Sequence, residues 1–299
     1  MARYGLDLQQ KNKSKKKRTV TFICVFMCFV ILLGSVSVLL LWRSLNYDFN
    51  NIFVAGDVST TKEPETTKTE EKVYAGEYLF LVAVTSDDGK ETRFLNLISV
   101  DLSEKVIRVV PVDSNIADSK TGFTCAKLLE TNGIKSVVSF LNNYYGKDIN
   151  RYVLLTETGY KSFFRAMGDI TVKVSEDIAY DTADMFLELK RGENVLTPDK
   201  TYKYMKYLCE TKKGYECSKA NAEIIVAAFN AFCTVERFSS ADNTFSIIID
   251  YCTTDITIVD FTNAKDELEY LLPKTSKEKL KVFVSDNITT QIIEESSDE

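Results

Sequence analysis

Apolar positions along this chain follow three patterns, and each change of pattern marks an element. Thr19 to Trp42 runs for 24 residues without a charge. From Tyr78 the pattern breaks into short apolar runs, YLFLVAVT, TRFLNLISV and KVIRVVPV, each of strand length. Between them, Ser86-Asp87-Asp88-Gly89 and Asp101-Leu102-Ser103 carry turn chemistry. A helical period follows Gly133, with Ile134, Val137, Val138 and Leu141 on one side and a stop at Gly146. The stretch Ile149 to Val174 reads as one packing unit of an α/β domain. In it a strand at Tyr152–Leu155 precedes a helix with Tyr160, Phe163, Phe164 and Met167 on one face. Gly168 supplies a left-handed cap, and a strand carries Ile170, Val172 and Val174.

Gly192 to Pro198 predicts a turn, and Asp199 starts a helix reaching about Cys209. After the Lys212–Gly214 loop comes a long helix expected to turn Ile225, Ala228, Phe229 and Phe232 inward. The apolar stretch Phe245–Ile249, a helix over Ala264–Leu272 and a strand over Leu280–Val284 complete the pattern. The fold class expected is mixed α/β: a central mixed β-sheet flanked by helices, preceded by one transmembrane helix.

Charge divides the chain further. Residues 1–18 hold seven basic side chains and one acidic one, and form a cytoplasmic tail. Residues 19–42 are long enough to span a membrane, because about 20 apolar residues cross a hydrocarbon core of roughly 30 Å. The run exceeds the apolar region of a signal peptide, and no small-residue cleavage site follows Trp42. The basic flank places the N-terminus in the cytoplasm and everything beyond Arg43 outside, at the plasma membrane. Residues 43–77, with VSTTKEPETTKTEEK, have too little apolar content to fold and form an extracellular linker. The extracellular domain covers 78–285, and 286–299 is an acidic tail. Beyond the basic tail, 30 basic residues face 42 acidic ones, which argues against a nucleic-acid partner.

The chain has no histidine. Ser-His-Asp and Cys-His nucleophile systems and imidazole-bound zinc are therefore excluded. Of seven cysteines, Cys24 and Cys28 fall in the membrane span. Cys125, Cys209, Cys217, Cys233 and Cys252 would lie in the exported domain, where two bridges and one free thiol are expected without a fixed pairing.

Four segments, in this order, resemble the LytR-CpsA-Psr family of membrane-anchored cell-envelope proteins: TRFLNLISVDLSEKVIRVVPVDSN, DINRYVLLTETGYKSFFRAMGDITVKV, RGENVLTPDKTYKYMKYL and ANAEIIVAAFNAF. The resemblance covers roughly Tyr78 to Val284. It implies transfer of a glycopolymer from a polyprenyl-pyrophosphate carrier to peptidoglycan or a surface protein, with Mg²⁺ assisting. It also implies aspartates on the metal and arginines forking onto phosphate. Here Arg93 stands at a family Asp position, Pro111-Val112-Asp113 replaces Pro-Arg-Asp, and Lys206 replaces the Arg of Tyr-x-Arg. Gly168-Asp169-Ile170 replaces Gly-Gly-Val, and no arginine occurs from Thr201 to Glu236. Lysine is a point charge and cannot reproduce the guanidinium fork.

The residues that carry over are Asp113, as catalytic group and Mg²⁺ ligand, Lys206, as catalytic and pyrophosphate-binding group, and Lys219, as a second pyrophosphate ligand. The reading this favours is a degenerate member that binds a lipid-linked glycopolymer or an envelope partner without efficient catalysis. Two alternatives stand beside it. One is an active glycopolymer phosphotransferase, and the other an exported sensor or structural domain outside the family chemistry.

Overall fold

The computed structural model describes residues 73–274, 278 and 280–288. The expected cytoplasmic tail, the expected membrane span, the linker up to residue 72 and most of the acidic tail lie outside the described residues. Among the described residues no helix is long and apolar enough to cross a membrane.

The first three strands, β1 (Glu77–Thr85), β2 (Thr92–Asp101) and β3 (Val106–Val112), form an antiparallel meander. Its turns are held by short side chains: Asp88 accepts from Ser86 Oγ (2.6 Å), and Asp101 accepts from the Glu104 N–H (3.0 Å). The chain then crosses over through α1 (Cys125–Asn132) and α2 (Ile134–Tyr145) and returns as β4 (Arg151–Thr156), parallel to β1. Next come α3 (Glu157–Met167), β5 (Ile170–Val174), β6 (Ile178–Asp181), β7 (Phe186–Leu189) and β8 (Gly192–Leu196). Two helices follow, α4 (Pro198–Thr211) and α5 (Gly214–Phe232), with the shorter α6 (Val235–Phe238) and α7 (Ala241–Ile248) after them. A 3₁₀ turn (Ile249–Tyr251), β9 (Thr253–Thr254), α8 (Ile258–Leu271) and β10 (Lys281–Val284) close the domain.

The main sheet has the order β10-β3-β2-β1-β4-β9. β4 and β10 run parallel to their neighbours β1 and β3, and the remaining pairs are antiparallel, so the sheet is mixed. Helices cover both of its faces. On one, Leu128, Val137 and Leu141 of α1 and α2 pack on Leu81, Leu95, Leu97 and Val112. On the other, Ala222 of α5 packs among Ile98, Ile107 and Val109. Two-sided burial explains why every residue of β3 is buried and why β2 and β3 read as nearly unbroken apolar runs. Ser218 stitches α5 to the sheet, donating to the Val112 carbonyl (2.8 Å) and accepting from the Leu95 N–H (3.2 Å).

Leu155, Tyr160, Phe164, Ile170, Val172 and Val174 share one apolar cluster, the single packing unit expected, while β5 pairs with β8 and β6 with β7, outside the main sheet. Several expectations need correction. The segment read as a turn from Gly192 is thus largely strand, its alternation hidden by the polar residues Glu193 and Asn194. Gly168 has φ 104 and ψ −159, a positive-φ exit outside the left-handed helical basin. On α5 the buried residues are Cys217, Ser218, Asn221, Ala222, Ile224, Ala227 and Phe232, while Ile225, Ala228 and Phe229 are only half-buried. Ser218, bonded to the Val112 carbonyl, and Asn221, bonded to the Cys217 carbonyl of its own helix, displace the inward face from the apolar stripe. Phe245–Ile249 is helical, and the last helix begins at Ile258, six residues before Ala264. All five described cysteines are free thiols, in place of the two expected bridges.

Candidate functional site

One end of β2 and the start of α3 meet at a charged cluster. Glu157, the first residue of α3, is 8% exposed. It accepts from Arg93 Nε at short range and from the Tyr202 hydroxyl at 3.2 Å. Arg93 also donates to Glu91 (2.8 Å). Burial, reinforced by the Glu157 charge, pushes the Tyr202 phenol up to about 12, so it stays a donor at neutral pH. Two features fix the start of α3. Thr156 caps it by accepting the Gly159 N–H (3.1 Å), and Asp87 accepts both the N–H and the hydroxyl of Thr158 at 2.8 Å. The Thr158 N–H, with the hydroxyl bonds, holds the Asp87 carboxyl below its usual range despite some burial.

Tyr202 links this cluster to a cavity of about 300 Å³ lined by Lys161, Asp184, Met185, Asp199, Tyr202, Lys203 and Lys206. Lys161 pairs with Asp199 (3.3 Å) and lies 5.2 Å from the centre of the Tyr202 ring. Lys206 is 3.9 Å from Glu210 one turn along α4, and Lys203 donates to the Phe186 carbonyl (3.2 Å). Lys203 also lines a neighbouring cavity of about 350 Å³ with Lys190, Lys200 and Phe186. The arrangement offers ammonium groups to an anion, tempered by Asp184 and Asp199.

The other two carried-over residues lie elsewhere. Asp113 follows β3, and its carboxylate accepts the Asn115 N–H (2.9 Å) in a turn. It sits against the first residue of α5: a Cβ built on Gly214 (φ 53) would fall 2.6 Å from Asp113 Oδ1 and 2.4 Å from Asn115 Nδ2. A carboxylate there faces the positive end of the helix. Lys219 is 3.7 Å from Asp286, which also accepts from the Tyr215 hydroxyl. That bond, followed by the Lys219 charge, lowers the Asp286 carboxyl. Neither Asp113 nor Lys219 lines the Lys206 cavity. Among the described residues no group of three or more Cys, Asp or Glu is placed to hold a metal ion. Asp113 therefore offers a single carboxylate, a set that suits Mg²⁺ only when substrate phosphates supply further oxygens.

The LytR_cpsA_psr family model matches residues 108–295, well over half of the chain. The chain belongs to this family. Similar solved structures include a proposed transcription regulator from Eubacterium siraeum (20% identity, 77% of this chain and 90% of that one, TM-score 0.60). Bacillus subtilis TagV follows at 16% identity, 71% and 85% coverage and a TM-score of 0.58. A transcriptional regulator from Enterococcus faecalis has 14% identity, 70% and 75% coverage and a TM-score of 0.54. At these identities the likeness establishes the fold, a mixed sheet flanked by helices. No curated protein matches the sequence.

Arg93 precedes the matched residues, and its charge is met by Glu157. Arg93 stands out in the sequence, whereas Glu157 and Tyr202 carry no local signal. A glutamate at a helix start is ordinary, and its partners lie 64 and 45 residues away.

Proposed function

We propose that this protein is a membrane-anchored LytR_cpsA_psr member that binds a lipid-linked glycopolymer at the cell envelope without efficient catalysis. In this reading residues 1–18 are cytoplasmic, 19–42 span the plasma membrane, and the described domain works outside the cell, facing peptidoglycan and other envelope proteins. The observation that carries it is the Arg93–Glu157 pair. The guanidinium at the family's acidic position is already held by a carboxylate, and most of α4 and all of α5 fall in the arginine-free stretch 201–236. Phosphoryl transfer needs forked donors on developing charge, and that set is depleted. Anion binding needs less, and the Lys161, Lys203 and Lys206 ammonium groups around one cavity supply it. Lys206 is the primary pyrophosphate contact. Lys219, engaged by Asp286, is a weaker candidate. Asp113 would hold Mg²⁺ together with the ligand's phosphates.

The test is calorimetric titration of the full-length chain in detergent with a short-chain prenyl pyrophosphate, with and without Mg²⁺. The reading expects micromolar binding, weakened about tenfold by Lys206→Ala, since one charge-assisted contact is worth roughly 1.5 kcal/mol or more, and no polymer transfer. Polymer transfer abolished by Asp113→Ala would establish a phosphotransferase instead. Absence of binding would leave a protein partner as the ligand.

A further inference from the structure

Only Lys212 and Lys213 separate α4 from α5, and each helix turns one cysteine toward the other across that connection. Cys209 Sγ and Cys217 Sγ are 3.0 Å apart, about 1 Å beyond a covalent S–S distance of about 2.05 Å. The residues are 5% and 2% exposed. Both sulfurs lie on the Arg93 carbonyl oxygen (3.7 and 3.2 Å), and Asn221 Nδ2 is 3.5 Å from each. The other described cysteines are engaged elsewhere. Cys125 and Cys233 belong to separate packing clusters, and Cys252 Sγ lies on the carbonyls of Ile248 and Ile249.

We propose that Cys209 and Cys217 form an oxidisable dithiol whose disulfide ties α4 to α5 behind the Arg93–Glu157 cluster. Cys217 is the attacking thiol. It stands in the first turn and a quarter of α5, near the helix N-terminus, which favours an anion, with Lys213 and the Asn221 amide adding positive potential. The bond with Cys209 lowers the Cys217 thiol below its ordinary value and raises that of Cys209.

The co-reactant is a disulfide able to exchange, small or protein-borne. The Cys217 thiolate attacks one of its sulfurs, forming a mixed disulfide and expelling one thiolate. Cys209 then gives up its proton and attacks the Cys217 sulfur, expelling the second thiolate. Two thiols lose two electrons and two protons, and the co-reactant gains both to become two thiols. Since both sulfurs are enclosed in the folded domain, exchange takes place as α5 docks on α4 or when the Lys212–Lys213 connection opens.

The test uses the full-length chain refolded in oxidised glutathione, with a phosphine-reduced aliquot beside it. Acid quenching, alkylation with N-ethylmaleimide and trypsin digestion follow. Cleavage after Lys206, Lys212, Lys213 and Lys219 isolates the two cysteines on Tyr207–Lys212 and Gly214–Lys219. The expected product is these two peptides joined, separated by reductant, with Cys125, Cys233 and Cys252 alkylated. The oxidised wild-type protein should also melt several degrees above the reduced one, a difference that Cys209→Ser abolishes. Recovery of both peptides alkylated after refolding, or of either one joined to another cysteine, would overturn the proposal.

Discussion

At the scale of single residues the decisive feature is the carboxylate of Glu157. Exposed ion pairs contribute about 0–1 kcal/mol, whereas breaking a buried pair costs roughly 3–5 kcal/mol. The Arg93 and Glu157 side chains are 23% and 11% exposed, which places them between those limits. Glu157→Ala should therefore cost about 1–3 kcal/mol in urea unfolding, the residual burial of an unpaired guanidinium supplying most of it. Arg93→Met with Glu157→Leu should recover most of that loss, because neither charge is then left alone. Equal losses in the single and the double variant would mean that Glu157 acts through Tyr202 alone. The same pair has a functional corollary. Glu157→Gln releases the Arg93 fork while keeping the side chain's shape, so binding of prenyl pyrophosphate should tighten several-fold. Unchanged affinity would place the ligand away from β2.

At the scale of elements, α3 is held by what its third residue lacks. A Cβ on Gly159 would lie 2.3 Å from the Tyr251 carbonyl oxygen, a backbone atom that cannot swing aside. Gly159→Ala should thus push α3 and the 249–251 turn apart and cost about 1–3 kcal/mol, although alanine is the better helix former. A thermal midpoint at or above that of wild type would show that the turn yields freely. The sequence makes this helix plain and hides its constraint. Tyr160 and Phe164 keep a helical period because they face one apolar cluster, whereas the approach of Tyr251 comes from 92 residues away and leaves no local pattern. The same division runs through the fold. The β1–β3 meander, α2 and α3 were legible because apolar burial sets their period. β8 was not, since the polar Asn194 shares the inward face with Leu196 while the apolar Val195 points outward beside Glu193, and neither was the inward face of α5, where Ser218 and Asn221 bond instead of packing. At the candidate site, the sequence led to Asp113, Lys206 and Lys219 one at a time. It could not foretell that Lys206 shares a cavity with Lys161 and Lys203 while Asp113 rests on Gly214.

At the scale of the whole molecule, two electrostatic effects oppose each other as pH falls. Residues beyond the basic tail carry a large excess of acid, so protonation relieves general repulsion and favours the folded state. Against this, Asp87, Asp118, Asp177, Asp199, Asp260 and Asp286 all have carboxyls held below 3.8 by local bonds. Screening decides between them. At about 0.15 M salt the Debye length is roughly 8 Å, which mutes diffuse repulsion but leaves hydrogen-bonded contacts in place.

Asp260 is the strongest of the set. It accepts from Arg151 Nη2 (2.7 Å), and from the N–H (2.9 Å) and hydroxyl (2.8 Å) of Thr257 in a capping box that starts α8. The Arg151 bond is the largest cause of its depression, followed by the Thr257 N–H. A carboxyl with a depressed folded value stabilises the fold above its unfolded value of 3.8, and that contribution fades as pH falls from there through the folded value. The thermal midpoint of the protein at physiological salt should accordingly hold near neutrality and fall below about pH 4. Asp260→Asn should lower the midpoint at neutral pH and flatten the acid limb, so that the two curves converge under strong acid. Curves that stay parallel from neutrality into strong acid would show that the junction of α8 with β4 does not depend on this charge.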